Sequence, residues 1–197
     1  MPRPRTIDDA AVLTAAAEVV NRIGPARLTL QSVADEVGLS AATLVQRFGS
    51  KRGLLLAMGT QAAAGWPAVF RGARERSDSP LTALGDALVE LTAHVRTPVA
   101  MANSLAFLQI DLSDPEFHAA AVAGMSELRG LSADLLDQAV AGGELAPATD
   151  TEALADSVMC AYNGALISWA IFREGTLEER LRRELARVLD SARSPGP

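Results

Sequence analysis

Apolar residues recur every three or four positions along most of the chain, and no stretch alternates cleanly between apolar and polar residues. This spacing places the apolar residues on one face of an α-helix, so it predicts an all-α protein. Turn and capping signals divide the chain into nine helices. We predict them at about 7–23, 30–37, 41–48, 51–76, 80–95, 98–111, 114–141, 150–173 and 176–192.

Residues that satisfy or interrupt backbone hydrogen bonds mark the ends of these helices. Thr29, Ser40 and Ser50 stand where a side-chain oxygen can cap a helix N-terminus. Pro67 lies inside the fourth predicted helix and is expected to kink it or to split it, because proline lacks a backbone N–H. Gly175 is expected to end the eighth helix.

The composition limits the class of protein. Cys160 is the single cysteine, which excludes an intramolecular disulfide framework and fits a cytoplasmic protein. Two charge-free stretches, at 53–70 and 157–172, are shorter than the roughly 20 apolar residues of a membrane span and are better read as core helices. We therefore predict no membrane association.

Positive charge is concentrated at the start of an acidic chain. Residues 1–53 carry seven Arg or Lys against five acidic residues, whereas the remainder carries eleven against nineteen, for a net charge of −6. A basic first quarter on an acidic body indicates that this quarter meets a polyanion.

Two short helices stand next to each other in this basic quarter, separated by a turn at Gly38. A short second helix packed by a first is the helix-turn-helix arrangement, in which the second helix enters the DNA major groove. Leu44 and Phe48 lie four residues apart and supply its packing face.

The stretch "LTLQSVADEVGLSAATLVQRFGSKRGLL" resembles the TetR family of bacterial transcriptional regulators. The resemblance is dense over about thirty residues, and in the rest of the chain it extends only to the nine-helix layout. It implies a helix-turn-helix DNA-binding domain at 1–55 (motif about 29–48), a larger helical ligand-binding and dimerisation domain at 56–192, and a loose tail at 193–197.

The resemblance also implies which residues contact DNA. Thr29 and Lys51 stand at phosphate-contacting positions, and Arg47 would lie against the phosphate backbone. The complete set of DNA-binding candidates is Thr29, Gln31, Ser40, Ala41, Ala42, Thr43, Gln46, Arg47 and Lys51. The capping roles of Thr29 and Ser40 need no DNA, and Gln31 and Gln46 could equally be ordinary solvent-facing residues.

Two positions depart from the family pattern. Val45 stands where the family usually has a tyrosine that bonds a phosphate; a valine could at most touch a thymine methyl group. Gly53 replaces the usual acid of a capping box behind Ser50, so we expect a looser start to the fourth helix.

Bulky apolar residues of the larger domain could line a ligand pocket or could simply form core. The pocket is implied mainly by the resemblance, and the few polar groups in these helices predict a mostly apolar effector. The candidate lining residues are Trp66, Phe70, Met101, Phe107, Met125, Tyr162 and Trp169.

The last two predicted helices could form a homodimer interface. Cys160, Gly164 and Ser168 recur every four residues, and small residues let another backbone approach closely. Leu181 and Leu185 belong to a leucine stripe on the last helix that could complete a four-helix interface. Packing within one chain is the alternative, but binding of DNA through two helix-turn-helix units requires a dimer, which favours the interface.

No enzyme, metal or cofactor motif is recognisable. His94 and His118 are isolated, and no phosphate-binding or nucleophile motif occurs. The sequence therefore predicts a dimeric, ligand-responsive repressor that binds a double-stranded DNA operator. The alternative is an all-α ligand-sensing or interaction protein that does not read DNA specifically, which Val45 and the alanines at 41 and 42 keep open.

Overall fold

The computed structural model describes residues 7–95 and 97–193. Within these residues the chain forms nine α-helices, which confirms the all-α prediction. The helices are α1 Asp9–Ile23, α2 Leu30–Val37, α3 Ala41–Phe48, α4 Lys51–Arg76, α5 Pro80–Leu91, α6 Pro98–Ser113, α7 Pro115–Ala141, α8 Thr151–Phe172 and α9 Leu177–Asp190. Apart from residue 193, the predicted tail lies outside the described residues.

Two compact units make up the chain, and the division between them falls inside α4, α6 and α7. The first unit contains the described residues 7–64 together with Ala102–Val122. The second contains Gly65–Met101, without residue 96, and the described residues from Ala123 onward. The unit that holds the helix-turn-helix thus includes more of the chain than the predicted domain 1–55.

The core of the first unit is built around the apolar faces of the first four helices. Val12, Val19, Val33, Leu44 and Leu54 are completely buried in it. Buried Phe117, from the start of α7, joins the same core, and the partly buried Phe107 of α6 packs against it. Their rings meet edge to face, with centroids 6.1 Å apart and an interplanar angle of 69°.

The core of the second unit is formed by α5, the later half of α7, α8 and α9, with the last residues of α4. Leu84, Leu88, Leu136 and Val158 are completely buried there. Every fourth residue of α9 from Leu177 to Leu189 points into this interior. The amphipathic pattern of the last helix is therefore satisfied within a single chain.

Several helix boundaries differ from the predictions, most of all that of α5, which ends at Leu91 and not near residue 95. Pro67 does not split α4, which continues to Arg76. α8 ends at Phe172 because Arg173 takes the left-handed conformation (φ 57°) and donates its N–H to the Trp169 carbonyl. Gly175 therefore lies beyond the helix end and does not form it. Among the described residues, no helix combines the length and the apolar character needed to cross a lipid bilayer.

Candidate nucleic-acid interface

Side-chain caps define both helices of the helix-turn-helix, as the sequence predicted. The Thr29 Oγ1 accepts the Ser32 N–H at 3.0 Å, and the Ser32 Oγ accepts the Thr29 N–H at 3.1 Å. Gly38, at φ 68°, ends α2 in the left-handed region that favours glycine. The Ser40 Oγ then accepts the Thr43 N–H at 3.1 Å and starts α3. These caps satisfy helix-end donors locally, so two eight-residue helices keep fixed ends.

One side of α3 is buried and the opposite side is exposed. Leu44 is completely buried and Phe48 is half-buried, which confirms the predicted packing face. Ala42, Val45 and Gln46 are exposed, three and four residues apart, and we call this set the recognition face. Ala41 and Thr43 are half-buried, and the Thr43 hydroxyl lies 2.9 Å from the Ser40 Oγ.

The C-terminal end of α3 packs directly on the first turn of α4. Gly53 donates its N–H to the capping Ser50 Oγ at 3.1 Å. A Cβ added at Gly53 would collide with the carbonyl oxygen of Phe48, a backbone atom that no side-chain rotation can move. The missing side chain is thus what lets α3 and α4 approach each other, and the looser helix start stays a prediction.

Arg47 and Lys51 make contacts within the chain. The Arg47 guanidinium donates to the Ile7 carbonyl at 2.7 Å and to Asp9 Oδ1 at 3.3 Å. The Lys51 ammonium donates to the Ala26 carbonyl at 2.9 Å. Both side chains keep further N–H donors. These contacts hold the helix-turn-helix together, and the phosphate contact of both residues stays a prediction.

Arg27 is a cation that the sequence-based candidates did not include. It is exposed, and within the described part of the chain its guanidinium has no hydrogen bond or ion pair. By contrast, Arg22 pairs with Glu36 at 2.6 Å, and Gln31 donates to Asp35 at 2.6 Å. An exposed, unpaired arginine two residues before the Thr29 cap is placed to meet an anion at the start of α2.

Arg52 pairs with residues at the α6–α7 connection. Its guanidinium forms two hydrogen bonds to Asp114, at 2.7 and 3.0 Å, and one to Glu116 at 2.5 Å. It also lies 5.4 Å from the centroid of the Phe117 ring. We call these four residues the Arg52 cluster. Hydrogen bonding to Arg52 lowers the pKa of Asp114 below its ordinary value, so the carboxylate stays ionised and also caps α7.

The predicted ligand-pocket residues do not form one group. Phe107 belongs to the core of the first unit, whereas the other six lie in the second. Among those six, Phe70, Met101 and Trp169 are buried and Met125 is exposed. Burial raises the pKa of the Tyr162 phenol above its ordinary value, and this hydroxyl makes no hydrogen bond within the described residues.

Two open cavities lie on the second unit. One, of about 290 Å³, has an apolar floor that includes Phe70 and Leu135 and a charged rim that includes Arg71 and Asp134. The other, of about 440 Å³, lies beside the start of α8, and none of the predicted pocket residues lines it. Phe70 is thus the predicted pocket residue that borders the first of these cavities.

The predicted dimer residues divide into two groups. Cys160 and Gly164 are exposed on α8 and Ser168 is half-buried. Leu181 and Leu185 are 0% and 2% exposed, because α9 turns this stripe into the interior of its own unit. Their assignment to an outward-facing interface therefore needs correction. The exposed stripe is on α8 and comprises Cys160, Gly164, Ile167 and Ile171, which we call the α8 face.

In the described ranges, no three His, Cys, Asp or Glu side chains come together in a way that could hold a metal ion. The described surface around α3 thus offers exposed apolar and amide groups, helix N-termini and cations. These groups suit contact with a nucleic acid.

The comparisons with known proteins agree with this architecture. Residues 12–58 match the family described as "Bacterial regulatory proteins, tetR family", and residues 106–185 match "Tetracyclin repressor-like, C-terminal domain". Together these two matches cover more than half of the chain. A search of curated proteins finds no match.

Three of the similar solved structures show how far the fold extends. A TetR transcription regulator from Haloarcula marismortui has 18% identity and a TM-score of 0.79, over 94% of this chain and 98% of that one. SmeT, the repressor of the Stenotrophomonas maltophilia multidrug efflux pump SmeDEF, has 18% identity and a TM-score of 0.68, over 97% and 93%. The fatty acid degradation regulator FadR from Bacillus halodurans has 15% identity and a TM-score of 0.70, over 92% and 98%. At these identities the likeness shows the fold alone.

The fold and the surface around α3 define a helix-turn-helix DNA-binding protein. The two family matches then place it: the chain belongs to the TetR family of transcriptional regulators. It is a DNA-binding transcriptional regulator and not an enzyme. This favours the DNA-binding function over the alternative of a protein that does not read DNA, whereas the dimer, the effector and repression stay predictions.

Proposed function

We propose that the protein is a dimeric repressor that holds an operator through α3 of each protomer and is released by a mostly apolar small molecule. The observation that carries the DNA contact is the recognition face, three exposed residues on a short helix whose opposite side is completely buried at Leu44. The fixed caps at Thr29 and Ser40 support it, because they hold α2 and α3 without help from DNA.

The proposed DNA contacts divide by chemistry. Ala41, Ala42, Thr43 and Gln46 approach bases or the adjacent backbone, and Gln46 is suited to a bidentate contact with adenine. Thr29, Gln31, Ser40, Arg47 and Lys51 contact or support contact with phosphates, and Arg27 joins them. Arg47 and Lys51 also support DNA contact indirectly, because each donates to a backbone carbonyl and so helps to hold the helix-turn-helix in place.

The proposed dimer forms through the α8 face. Cys160, Gly164, Ile167 and Ile171 recur at i, i+4, i+7 and i+11, so they share one side of the helix. A Cβ at Gly164 would meet nothing within 4 Å in its own chain, which leaves room for the backbone of a second copy. Leu181 and Leu185 support this face from behind, as core residues of α9.

The proposed effector site lies in the second unit and excludes Phe107, whose ring packs on Phe117. Support comes from the aromatic and sulphur-containing residues of that unit and from the partly buried Tyr162, whose hydroxyl offers one donor beside apolar residues. FadR, a regulator of fatty acid degradation, is a structural neighbour and is consistent with an apolar effector.

A binding experiment with the chain's own upstream DNA tests this proposal. Fluorescence anisotropy should show saturable binding of a dimer to one duplex, competed weakly by random duplex. Titration with a panel of apolar compounds should find one that lowers DNA affinity, and by linkage saturating DNA should lower the affinity of that compound by the same factor. Equal compound affinity with and without saturating DNA would exclude release by that compound.

A further inference from the structure

We propose that the recognition face reads the 5-methyl group of a thymine through Val45, next to a base read by Gln46, so that the operator is sensitive to a single methyl group. This inference rests on the proposed function, because it requires α3 to enter the major groove. It assigns a specificity-determining role to Val45, the residue of the recognition face for which the proposed function names no contact.

Val45 is the exposed large apolar side chain of residues 7–64; the same unit also exposes Leu108, Leu112 and Val122, which lie in residues 102–122, outside the helix-turn-helix. Among the described residues 7–64, every other Val, Leu, Ile, Met and Phe side chain is buried or half-buried, whereas Val45 is 49% exposed. Leu44, its neighbour in the chain, is completely buried, so the exposure follows from the direction in which α3 turns Val45. Contact between an exposed apolar side chain and another apolar group removes apolar surface from water and is therefore favourable.

The rest of the recognition face offers few other ways to read bases. Gln46 is exposed and makes no hydrogen bond within the described residues, so its amide is available. Ala42 contributes a methyl group, the Thr43 hydroxyl lies 2.9 Å from the Ser40 Oγ, and Arg47 donates to the Ile7 carbonyl. The face therefore presents one amide beside two apolar groups.

The major groove offers one apolar feature on the standard bases. Thymine carries a methyl group at C5, where cytosine carries only hydrogen. A valine next to a glutamine can therefore pair a methyl contact with a hydrogen-bonded base in the same half-site. The same chemistry predicts that 5-methylcytosine, which carries the same group, can substitute for thymine in the contact with Val45.

Single-atom changes in the DNA test this inference. The wild-type protein first selects a duplex from a random-sequence library. Each thymine of the selected half-site is then replaced in turn by deoxyuridine, which removes the methyl group and leaves pairing intact. We expect one thymine at which the replacement weakens binding about fourfold per half-site, the value of one buried methyl group. Replacement in both half-sites should weaken binding about fifteenfold.

The variants Val45→Ala and Val45→Ile distinguish loss of the contact between Val45 and the thymine methyl group from any effect of deoxyuridine on the duplex itself. Val45→Ala should bind the thymine and deoxyuridine duplexes equally at that position, whereas Val45→Ile should keep the difference. Because Val45 is exposed, Val45→Ala leaves the core of the unit intact, and its circular dichroism should match the wild type.

The possible outcomes are distinguishable. Selection of a defined duplex, with deoxyuridine effects that Val45→Ala does not change, would overturn this inference and leave the repressor proposal standing. Failure to select any sequence would overturn both.

Discussion

The outward faces of α3 and α8 are both uncharged, but they expose very different amounts of apolar surface. The recognition face presents a methyl group, the partly exposed Val45 and an amide. The α8 face presents two isoleucines, of which Ile171 is 68% exposed. Burial stabilises an interface in proportion to the apolar area removed from water, so contact with another apolar surface stabilises α8 more than α3. Binding through α3 depends more on how well its side chains fit the bases. We infer that α8 supplies affinity through dimerisation and that α3 supplies sequence preference.

The largest effect is expected from a charge on the α8 face. Gly164→Glu should give monomers in sedimentation and should weaken operator binding by about 10²–10⁴-fold, because the second half-site is no longer tethered to the first. Gly130→Glu is the matched control, since Gly130 is also an exposed helical glycine with open space around it. A Gly164→Glu protein that stays dimeric would remove α8 from the interface.

A substitution on the recognition face should alter the preference for one DNA sequence over another more than the overall affinity for DNA. Gln46→Ala should remove discrimination of about 1–3 kcal/mol at one base pair per half-site, measured by competition among operator variants. Gln31→Ala is the comparison, because the Gln31 amide is already bonded to Asp35. If Gln46→Ala binds the operator variants in the wild-type order, Gln46 does not read a base.

The support behind the recognition face can be tested through stability. Gly53→Ala should lower the free energy of unfolding by about 1–3 kcal/mol, because its Cβ collides with the Phe48 carbonyl. Gly59→Ala, in the same helix with open space around it, should instead raise stability by up to about 1 kcal/mol. Urea denaturation measures the free energy of unfolding of both variants. If Gly53→Ala and Gly59→Ala change it equally, α3 and α4 can move apart at Gly53 without loss of stability.

The smallest expected effect concerns the unpaired cation beside α2. Arg27→Ala should reduce the salt dependence of DNA binding by about one unit of slope, with little change in sequence preference. Arg22→Ala, which removes an arginine paired with Glu36, should change the slope less. An unchanged slope in Arg27→Ala would place Arg27 away from the phosphates.

What could be predicted from sequence here was mainly local. The caps at Thr29 and Ser40 depend on atoms within three residues, so a short motif contains all the information they need. The four-residue spacing of Leu181 and Leu185 correctly indicates a buried stripe, but periodicity does not say whether the surface that buries it belongs to the same chain or to another. That ambiguity is why these leucines were assigned to the dimer.

The contacts that sequence reasoning missed are distant along the chain. Arg52 and Asp114 are 62 residues apart, and Arg47 and Ile7 are 40 apart. A charged residue on a short basic segment looks available for DNA until the tertiary structure supplies its partner. The packing role of Gly53 was missed for the same reason, because its close approach to the Phe48 carbonyl depends on how two helices pack.

The Arg52 cluster has a consequence for engineering regulators by exchanging their parts. A chimera cut at residue 55 would join the first helices of this chain to a foreign body, and it would leave behind Asp114, Glu116 and Phe117. Leu44 and Leu54 would then lose the ring of Phe117 from their shared core, and Arg52 would lose its partners. The transplantable module is discontinuous in sequence: residues 7–64 have to travel together with residues 102–122.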